Sequence, residues 1–153
     1  KTIQDLRDIA KSLNTDFISE IGLPVAIEQQ LQLLDKTEQY QTHFFVKGDI
    51  FKHNSQRELV VFRIVQELLN NIVKHAEASD IDIEMQYLSA RLIITVKDNG
   101  KGFDTKAVQA VEKNSGLGLR NMSNRMNMIK GIIVIKSTPG TGTKVTLEIP
   151  KLP

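Results

Sequence analysis

Apolar residues recur along this chain in two periods, one typical of helices and one typical of strands. Near the start they recur at intervals of three and four, as on one face of a helix. The same spacing suits an a/d seam against a second helix, but two heptads are equally compatible with an amphipathic helix on its own domain. Both interpretations stay open for the five positions concerned, which are Ile3, Leu6, Ala10, Leu13 and Phe17.

A second helix and a strand are predicted next. Pro24 follows shortly after Gly22 and suits the first turn of a helix that should end at about Lys36. Residues 41–47 are rich in β-branched and aromatic side chains and are followed by Gly48, so they are predicted to form a strand. The apolar positions of the helix are Ile27, Leu31 and Leu34.

A long helix and a hairpin are predicted in the middle of the chain. Asn54 or Ser55 can cap a helix that reaches about Ala76. Beyond it, residues 81–88 alternate between apolar and polar side chains, as expected of a strand with one wet face. Residues 91–97 have the same character and follow after a short turn, so the two runs should pair as a hairpin.

The remaining pattern completes an α+β fold. Residues 103–115 are polar with only a weak helical period and are predicted to be a mobile flap. A helix over residues 117–129 should follow, and then strands over 132–136 and 144–149 around a turn at 139–142. Because strands and helices do not alternate strictly, we expect a two-layer sandwich in which helices cover one face of a mixed β-sheet.

Composition limits the classes of function. The 153 residues are 41% hydrophobic and can bury one good core rather than two. A net charge of +2 produces no strong field, so neither nucleic acid nor a membrane surface is an expected partner. The chain has no cysteine, no apolar run near the roughly 20 residues that span a bilayer, and no initiator methionine. We therefore expect a cytoplasmic domain excised from a longer protein.

The long predicted helix carries the first polar motif. A solvated helix face explains most such clusters, but asparagine is unfavourable in mid-helix because its side chain competes for backbone hydrogen bonds. An amide oxygen there can coordinate Mg²⁺, which prefers oxygen ligands and completes its coordination shell with phosphate and water. The side chains that share about a third of the helix circumference, with the last at its edge, are Arg63, Glu67, Asn70, Asn71, Lys74 and His75.

A second motif begins where a predicted strand ends, at Asp98. The next residues include Asn99 and Gly100, a pair typical of a tight turn. A carboxylate at a strand end can also accept a hydrogen bond from an exocyclic amine, and nearby glycines let a base lie against the backbone. Adenine is the natural candidate for such a site.

The third motif, Gly116-Leu117-Gly118-Leu119, opens a predicted helix. Its backbone amides and the helix dipole would form a positive cradle for phosphate, although a flexible cap before a helix is an equally simple interpretation. The order of strand, GxGxxG and helix that marks dinucleotide-binding folds is absent. Residues 140–144 lack the Walker spacing and lead into a strand.

Together the three motifs resemble those of the ATP-binding domain of sensor histidine kinases, in the GHKL superfamily. The resemblance covers about residues 20–150 and is greatest for the group typified by the nitrate/nitrite sensors and the desaturase thermosensor kinases. The first motif of that group contains Asn-x-x-Lys-His-Ala, here residues 71–76. The resemblance implies a Bergerat-type fold, ATP and Mg²⁺ as ligands, and ATP-dependent histidine kinase activity.

The resemblance also implies roles for single residues. Asn71 would coordinate Mg²⁺, and Glu67 would polarise a metal-bound water or assist proton transfer. Asp98 would hold the adenine amino group, with Thr143 nearby through water, and residues 103–115 would be a lid that gates the site. The other implied nucleotide-binding residues are Asn70, Lys74 and His75 near the phosphates, and Gly100, Gly102, Gly116, Leu117, Gly118 and Leu119 in the walls.

The phosphoacceptor histidine of such kinases sits on the first helix of a dimerisation hairpin. The three histidines of this chain are predicted to lie in a strand, a loop and the first motif, so we expect the acceptor to lie outside the chain. They are His43, His53 and His75. Residues 1–19 would then be a remnant of the second hairpin helix with its linker, and residues 20–153 the ATP-binding kinase domain.

Partners follow from the same resemblance. They would be the dimerisation and phosphoacceptor domain of the same kinase and a downstream response regulator, in a homodimeric protein whose membrane anchoring stays open. Two alternatives remain. An anti-sigma-type serine kinase shares the fold but lacks the hairpin, which the apolar seam argues against. A non-catalytic nucleotide-sensing scaffold would bind without transferring phosphate, although Glu67, Asn71 and Asp98 favour competence.

Overall fold

A computed structural model describes residues 15–106 and 119–152 of the chain. Within these residues, helices and strands occur in the mixed order that the sequence pattern predicts. The helices are α1 (Thr15–Ile21), α2 (Leu23–Asp35), α3 (Ser55–Asn71) and α4 (Leu119–Met128). The strands are β1 (Gln41–Gly48), β2 (Asp80–Tyr87), β3 (Arg91–Asp98), β4 (Ile132–Thr138) and β5 (Gly142–Pro150).

The strands form one mixed sheet in the order β1-β2-β3-β5-β4. β1 and β2 are parallel, and every other neighbouring pair is antiparallel. The predicted hairpin is confirmed, since β2 and β3 are antiparallel neighbours. Side chains along β2 alternate between the core and the other face of the sheet. Ile81, Ile83 and Met85 are fully buried, and the residues between them are half-buried.

The helices cover one face of this sheet, which confirms the predicted α+β fold. Their apolar stripes and the inward side chains of the strands form one core, in which Phe62 of α3 is fully buried. Within residues 15–106 and 119–152, no helix covers the other face, and along β4 it exposes alternate residues beginning with Ile132. This second face is called the open face below.

The long helix begins and ends as its sequence indicates. The side chain of Asn54 accepts a hydrogen bond from the backbone N–H of Arg57 at 2.8 Å, which confirms Asn54 as the cap. After Asn71 the helix widens into a π-helical turn, Ile72–Ala76, and the left-handed Glu77 then ends it. Helical structure therefore reaches the predicted end, but its last turn is wider than an α-helix and shifts the side chains it carries.

Several predicted features lie wholly or partly outside the described residues. These are most of the apolar seam in residues 1–17, the flap beyond residue 106 and the start of the fourth helix. The last residue of that seam, Phe17, is half-buried in α1, and the next, Ile18, is fully buried in the core. Within residues 15–106 and 119–152, no helix combines the length and the apolar character that crossing a membrane requires.

Candidate functional site

A cavity of about 350 Å³ lies between the end of α3, the sheet and the start of α4. Its size is in the range of small-molecule sites, and apolar side chains from the helix and the sheet form much of its lining. The lining residues are Leu68, Asn71, Ile72, His75, Ala76, Val96, Asp98, Lys101, Gly102, Phe103, Leu119, Ile135, Thr143 and Val145.

Asp98 supplies the buried carboxylate of this cavity. The residue is 5% exposed, and its Oδ1 accepts a hydrogen bond from the backbone N–H of Gly100 at 2.8 Å. Burial raises the pKa of the carboxyl, while hydrogen bonds from the backbone N–H groups of Gly100 and Thr143 favour the charged form and act against that rise. The carboxylate is thus oriented by the backbone on two sides and can accept a further donor from a ligand.

The turn after Asp98 is fixed to neighbouring elements on both sides. The side chain of Asn99 accepts hydrogen bonds from the backbone N–H groups of Ser79 and Asp80, both at 2.9 Å. The N–H of Lys101 donates to the carbonyl of Ala76 at 2.7 Å. These bonds join the turn to the start of β2 and to the end of the π-helical turn.

Gly100 is required here by close packing. A Cβ at this position would overlap the carbonyl oxygen of Ala76 and approach the carboxylate of Asp98. Its backbone lacks the positive φ seen at Gly102, where φ is 63°. Because Gly100 has no side chain, Ala76 at the helix end packs against its backbone close to Asp98. The space that the sequence predicts for a base is therefore filled at Gly100 by the protein's own helix end.

Strands β4 and β5 carry a pair of hydroxyl groups at the edge of the cavity, of which only Thr143 lines it. The Oγ of Ser137 lies 2.7 Å from the Oγ1 of Thr143, which pairs with Asp98 in the register of β3 and β5. The same Ser137 Oγ accepts the backbone N–H of Phe103 at 2.9 Å. Ser137 thus connects the strand beside the carboxylate to the beginning of the segment that the sequence predicts to be a lid.

The polar residues of α3 divide into two groups. Asn71 at the end of α3 and His75 in the π-helical turn line the cavity. Glu67 and Asn70 are half-buried and Lys74 is exposed, and none of the three is among the lining residues. The helix therefore presents one amide and one imidazole to the cavity, with a carboxylate and a cation beside them.

The structure brings together six of the predicted site residues in one cavity, which are Asn71, His75, Asp98, Gly102, Leu119 and Thr143. Gly100 does not line the cavity but contacts the carboxylate of Asp98. Residues 116–118 lie outside the described residues. Sequence reasoning missed Lys101 and the apolar wall, whereas Phe103 is the first residue of the predicted lid. Lys101 had a sequence signal, its place inside the second motif. The apolar wall is recognisable as part of the site only once the strands are paired.

Two relatives of known class are similar over 98% of this chain. The signal transduction histidine-protein kinase/phosphatase DegS of Brevibacillus brevis is 34% identical over 167 aligned positions, which are 41% of its length. The oxygen sensor histidine kinase NreB of Staphylococcus carnosus is 29% identical over 150 positions, which are 42% of its length. The chain spans about two fifths of the length of these relatives.

Solved structures show the same fold. The histidine kinase domain of a blue-light activated histidine kinase from Erythrobacter litoralis matches with a TM-score of 0.67 at 21% identity, over 84% of this chain and 64% of that chain. The catalytic domain of histidine kinase ThkA matches with a TM-score of 0.68 at 15% identity, over 84% of this chain and 90% of that chain. At these identities the likeness establishes the fold.

The sequence of the C-terminal two thirds of the chain establishes its family. Residues 56–153, more than half of the chain, match the family described as histidine kinase-, DNA gyrase B-, and HSP90-like ATPase. This range contains all three motifs and every residue that lines the cavity. The chain belongs to this ATPase family, and its domain is an ATP-binding domain of the type found in sensor histidine kinases.

Proposed function

We propose that this chain is the catalytic domain of a two-component sensor histidine kinase, which positions Mg·ATP for phosphoryl transfer to a histidine outside the chain. The observation that carries the proposal is the buried Asp98 carboxylate in an apolar cavity at the end of α3. No ion pair within residues 15–106 and 119–152 involves this carboxylate. Beyond the two backbone N–H groups that already donate to it, a carboxylate has room to accept a further hydrogen bond from a ligand.

Adenine suits this acceptor better than guanine does. The exocyclic amine of adenine would donate to Asp98, whereas guanine has a carbonyl oxygen at the equivalent position and would be repelled. The apolar side chains of Ile72, Val96 and Val145 line the cavity and suit the faces of a planar base. Thr143, whose backbone N–H orients the carboxylate, would contact the base through water.

The phosphates would extend toward α3. His75 lines the cavity and Lys74 is exposed beside it, so both would contribute to phosphate binding, with Asn70 nearby on the preceding turn. The amide oxygen of Asn71 is a suitable ligand for Mg²⁺, because this ion takes oxygen donors and is usually held by few protein groups together with phosphates. When bound, Mg²⁺ would neutralise charge on the phosphates.

The remaining wall would come from the glycine-rich segments. Gly100 and Gly102 would shape the base side, and residues 116–118 together with Leu119 would contribute the phosphate side. Residues 103–115 would close over the nucleotide as a lid. Closure would exclude water from the phosphates and so favour transfer over hydrolysis.

The transfer itself would move the γ-phosphoryl group from ATP to an imidazole nitrogen. The bond between the γ-phosphorus and the β,γ-bridging oxygen breaks, a P–N bond forms, and ADP leaves with the electron pair. The acceptor imidazole must lose its N–H proton, which the carboxylate of Glu67 would take. In the whole protein, Glu67→Gln should therefore slow transfer by about 10²–10⁴-fold while ATP affinity is retained. An unchanged rate would remove Glu67 from the chemistry.

The partners proposed for this activity are the dimerisation and phosphoacceptor domain of the same protein, in a homodimer, and a response regulator that receives the phosphoryl group. This activity requires neither nucleic acid nor membrane contact from residues 1–153. ATP is an intracellular substrate, so the domain would act on the cytoplasmic side. Residues 1–19 would be the remnant of the second hairpin helix with its linker, and residues 20–153 the ATP-binding domain.

Calorimetric titration with ATP and GTP, each with and without Mg²⁺, tests the nucleotide site. We expect ATP to bind, Mg²⁺ to strengthen binding, and GTP to bind at least about tenfold more weakly, since it lacks the donor to Asp98. Asp98→Asn should weaken ATP binding while circular dichroism shows a retained fold, because the amide can still accept the N–H of Gly100. Equal binding of ATP and GTP, or an unchanged Asp98→Asn variant, would refute the base site.

A further inference from the structure

Three lysines form a continuous row across the open face of the sheet. Lys97 of β3 pairs with Lys144 of β5, and Lys144 pairs with Lys136 of β4. All three are exposed, and residues paired in register point to the same face. Neighbouring strands are about 5 Å apart, so the Cα atoms of the three lysines lie within roughly 10 Å of one another.

The row places like charges side by side, and like charges that are direct cross-strand neighbours destabilise a sheet. Lys97 has Asp82 of β2 as its other register neighbour, whereas Lys144 has a lysine on both sides. Lys47, on the same face, pairs with Glu84 at 3.0 Å, and the His43 ring lies 2.7 Å from the Asp82 carboxylate. Within residues 15–106 and 119–152, none of the three row lysines lies within ion-pairing distance of a carboxylate.

A cavity lies beside the row. It has a volume of about 210 Å³, and all three row lysines line it together with the hydroxyl-bearing Thr138 and Thr141. Gly142, opposite Thr138 in the register, provides no side chain, so backbone forms this part of the wall. Asp98 and Thr143 also line it, which means that this cavity and the nucleotide cavity share a wall.

We infer that this row and cavity form a second anion site, distinct from the nucleotide cavity, for a compact ligand that carries phosphate groups. Three neighbouring cations that line one cavity exceed what a single carboxylate can neutralise, whereas a pyrophosphate-sized group carries several charges in a small volume. Lysine is a common phosphate ligand because it acts as a mobile point charge, and nearby hydroxyl groups can add hydrogen bonds. The cavity is too small for a whole nucleotide but suits such a group.

The first test is a titration of the chain with inorganic pyrophosphate in metal-free buffer, followed through backbone amide resonances. ADP is added first to occupy the nucleotide cavity. We expect shifts at Lys97, Lys136 and Lys144 whether or not ADP binds, so that failure of the proposed nucleotide site and failure of this one are distinguishable. Absence of shifts at these residues would overturn the inference.

Variants of the row lysines provide a second test, in which ligand affinity and thermal stability should change in opposite directions. Lys144→Gln removes the central charge, so it should weaken pyrophosphate binding by about tenfold and leave ATP binding unchanged. The same change relieves repulsion and should raise the Tm of the free domain by about 1–4 °C. Lys47→Gln is the matched control on the same face, and it should do neither. A Lys144→Gln variant that binds pyrophosphate like the parent would overturn the inference.

The phosphate group could be free in solution or borne on a lipid headgroup. Co-sedimentation with phosphatidylcholine vesicles that contain phosphatidic acid separates the two sources. Lys144-dependent binding to these vesicles would support the headgroup, and pyrophosphate binding without vesicle binding would support a free ligand. If polyglutamate bound with higher affinity than either phosphate form, the row would be a surface for acidic protein segments, and the phosphate assignment would be wrong.

Discussion

Asn99 and Asp80 are joined by hydrogen bonds in both directions. The Oδ1 of Asn99 accepts the backbone N–H of Asp80 at 2.9 Å, and the Nδ2 of Asn99 donates to the Asp80 carboxylate at 3.0 Å. This pairing fixes the residue after Asp98 to the first residue of β2, so the buried carboxylate has a rigid support on one side. Asn99 therefore has a structural role in the second motif, in addition to the glycines that shape its turn.

Removal of this support should reduce both stability and affinity. Asn99→Ala deletes hydrogen bonds to Ser79 and Asp80, and we expect a loss of about 1–3 kcal/mol in the free energy of unfolding. ATP affinity should fall as well, because Asp98 loses its support. Urea denaturation and calorimetry measure the two effects. Asn127→Ala, at an exposed position in α4, is the control. Unchanged ATP affinity in a destabilised Asn99→Ala variant would show that the turn does not position Asp98.

Gly100 offers a test of close packing against backbone strain. Gly100→Ala places a methyl group against the carbonyl of Ala76, so it should cost about 1–3 kcal/mol in stability and weaken ATP binding. Gly140→Ala is the contrasting variant, since nothing lies near its Cβ but its φ is 86°. It should cost about 1–2 kcal/mol of backbone strain and leave ATP affinity unchanged. Equal effects of the two variants on ATP binding would contradict the packing role.

Asn71 is predicted to act only through the metal. In Asn71→Ala the increase in ATP affinity that Mg²⁺ produces should shrink by about tenfold or more, while metal-free ATP binding should change little. Calorimetric titrations at fixed ATP with and without Mg²⁺ measure this difference. Asn124→Ala, at an exposed helical position outside the cavity, should keep the full Mg²⁺ effect. A variant at Asn71 that kept the whole Mg²⁺ effect would refute the assignment.

Glu58 should make stability depend on pH at the other end of α3. Burial raises its pKa above the ordinary value of 4.5, while the backbone N–H of His53 and the charge of Lys52 act in the opposite direction. The folded state thus binds this proton more tightly than the unfolded state does. The contribution of Glu58 to stability therefore falls as pH rises from the unfolded pKa through the folded pKa.

Thermal unfolding of Glu58→Gln across this pH range tests the sign. The amide still accepts the N–H of His53 but carries no charge, so the Tm of the variant relative to the parent should increase as pH rises and then level off. Burial lowers the pKa of His53, which favours folding at higher pH, but His53 is present in both proteins and cancels in the difference. Glu28→Gln, at an exposed position, is the control. A difference that decreased with pH would contradict the assignment.

Local sequence determined the elements and most of the chemistry. Alternation along β2 and the cap at Asn54 predicted structures that are confirmed, because strand period and helix capping act over a few residues. The order of the three motifs identified an ATP-binding domain before any contact was known. The proposed contacts of Asn71 and Asp98 with metal and base remain predictions.

Only the tertiary structure decided how distant residues share one site. Pairing of β3 with β5 brings Thr143 beside Asp98, and the packing of Gly100 against Ala76 brings in the helix end. The same pairing gathers the three lysines on the open face, although their spacing along the chain gives no sign of it. Register between strands depends on the burial of a whole face of the sheet, so it is a property of the assembled core rather than of any local sequence pattern.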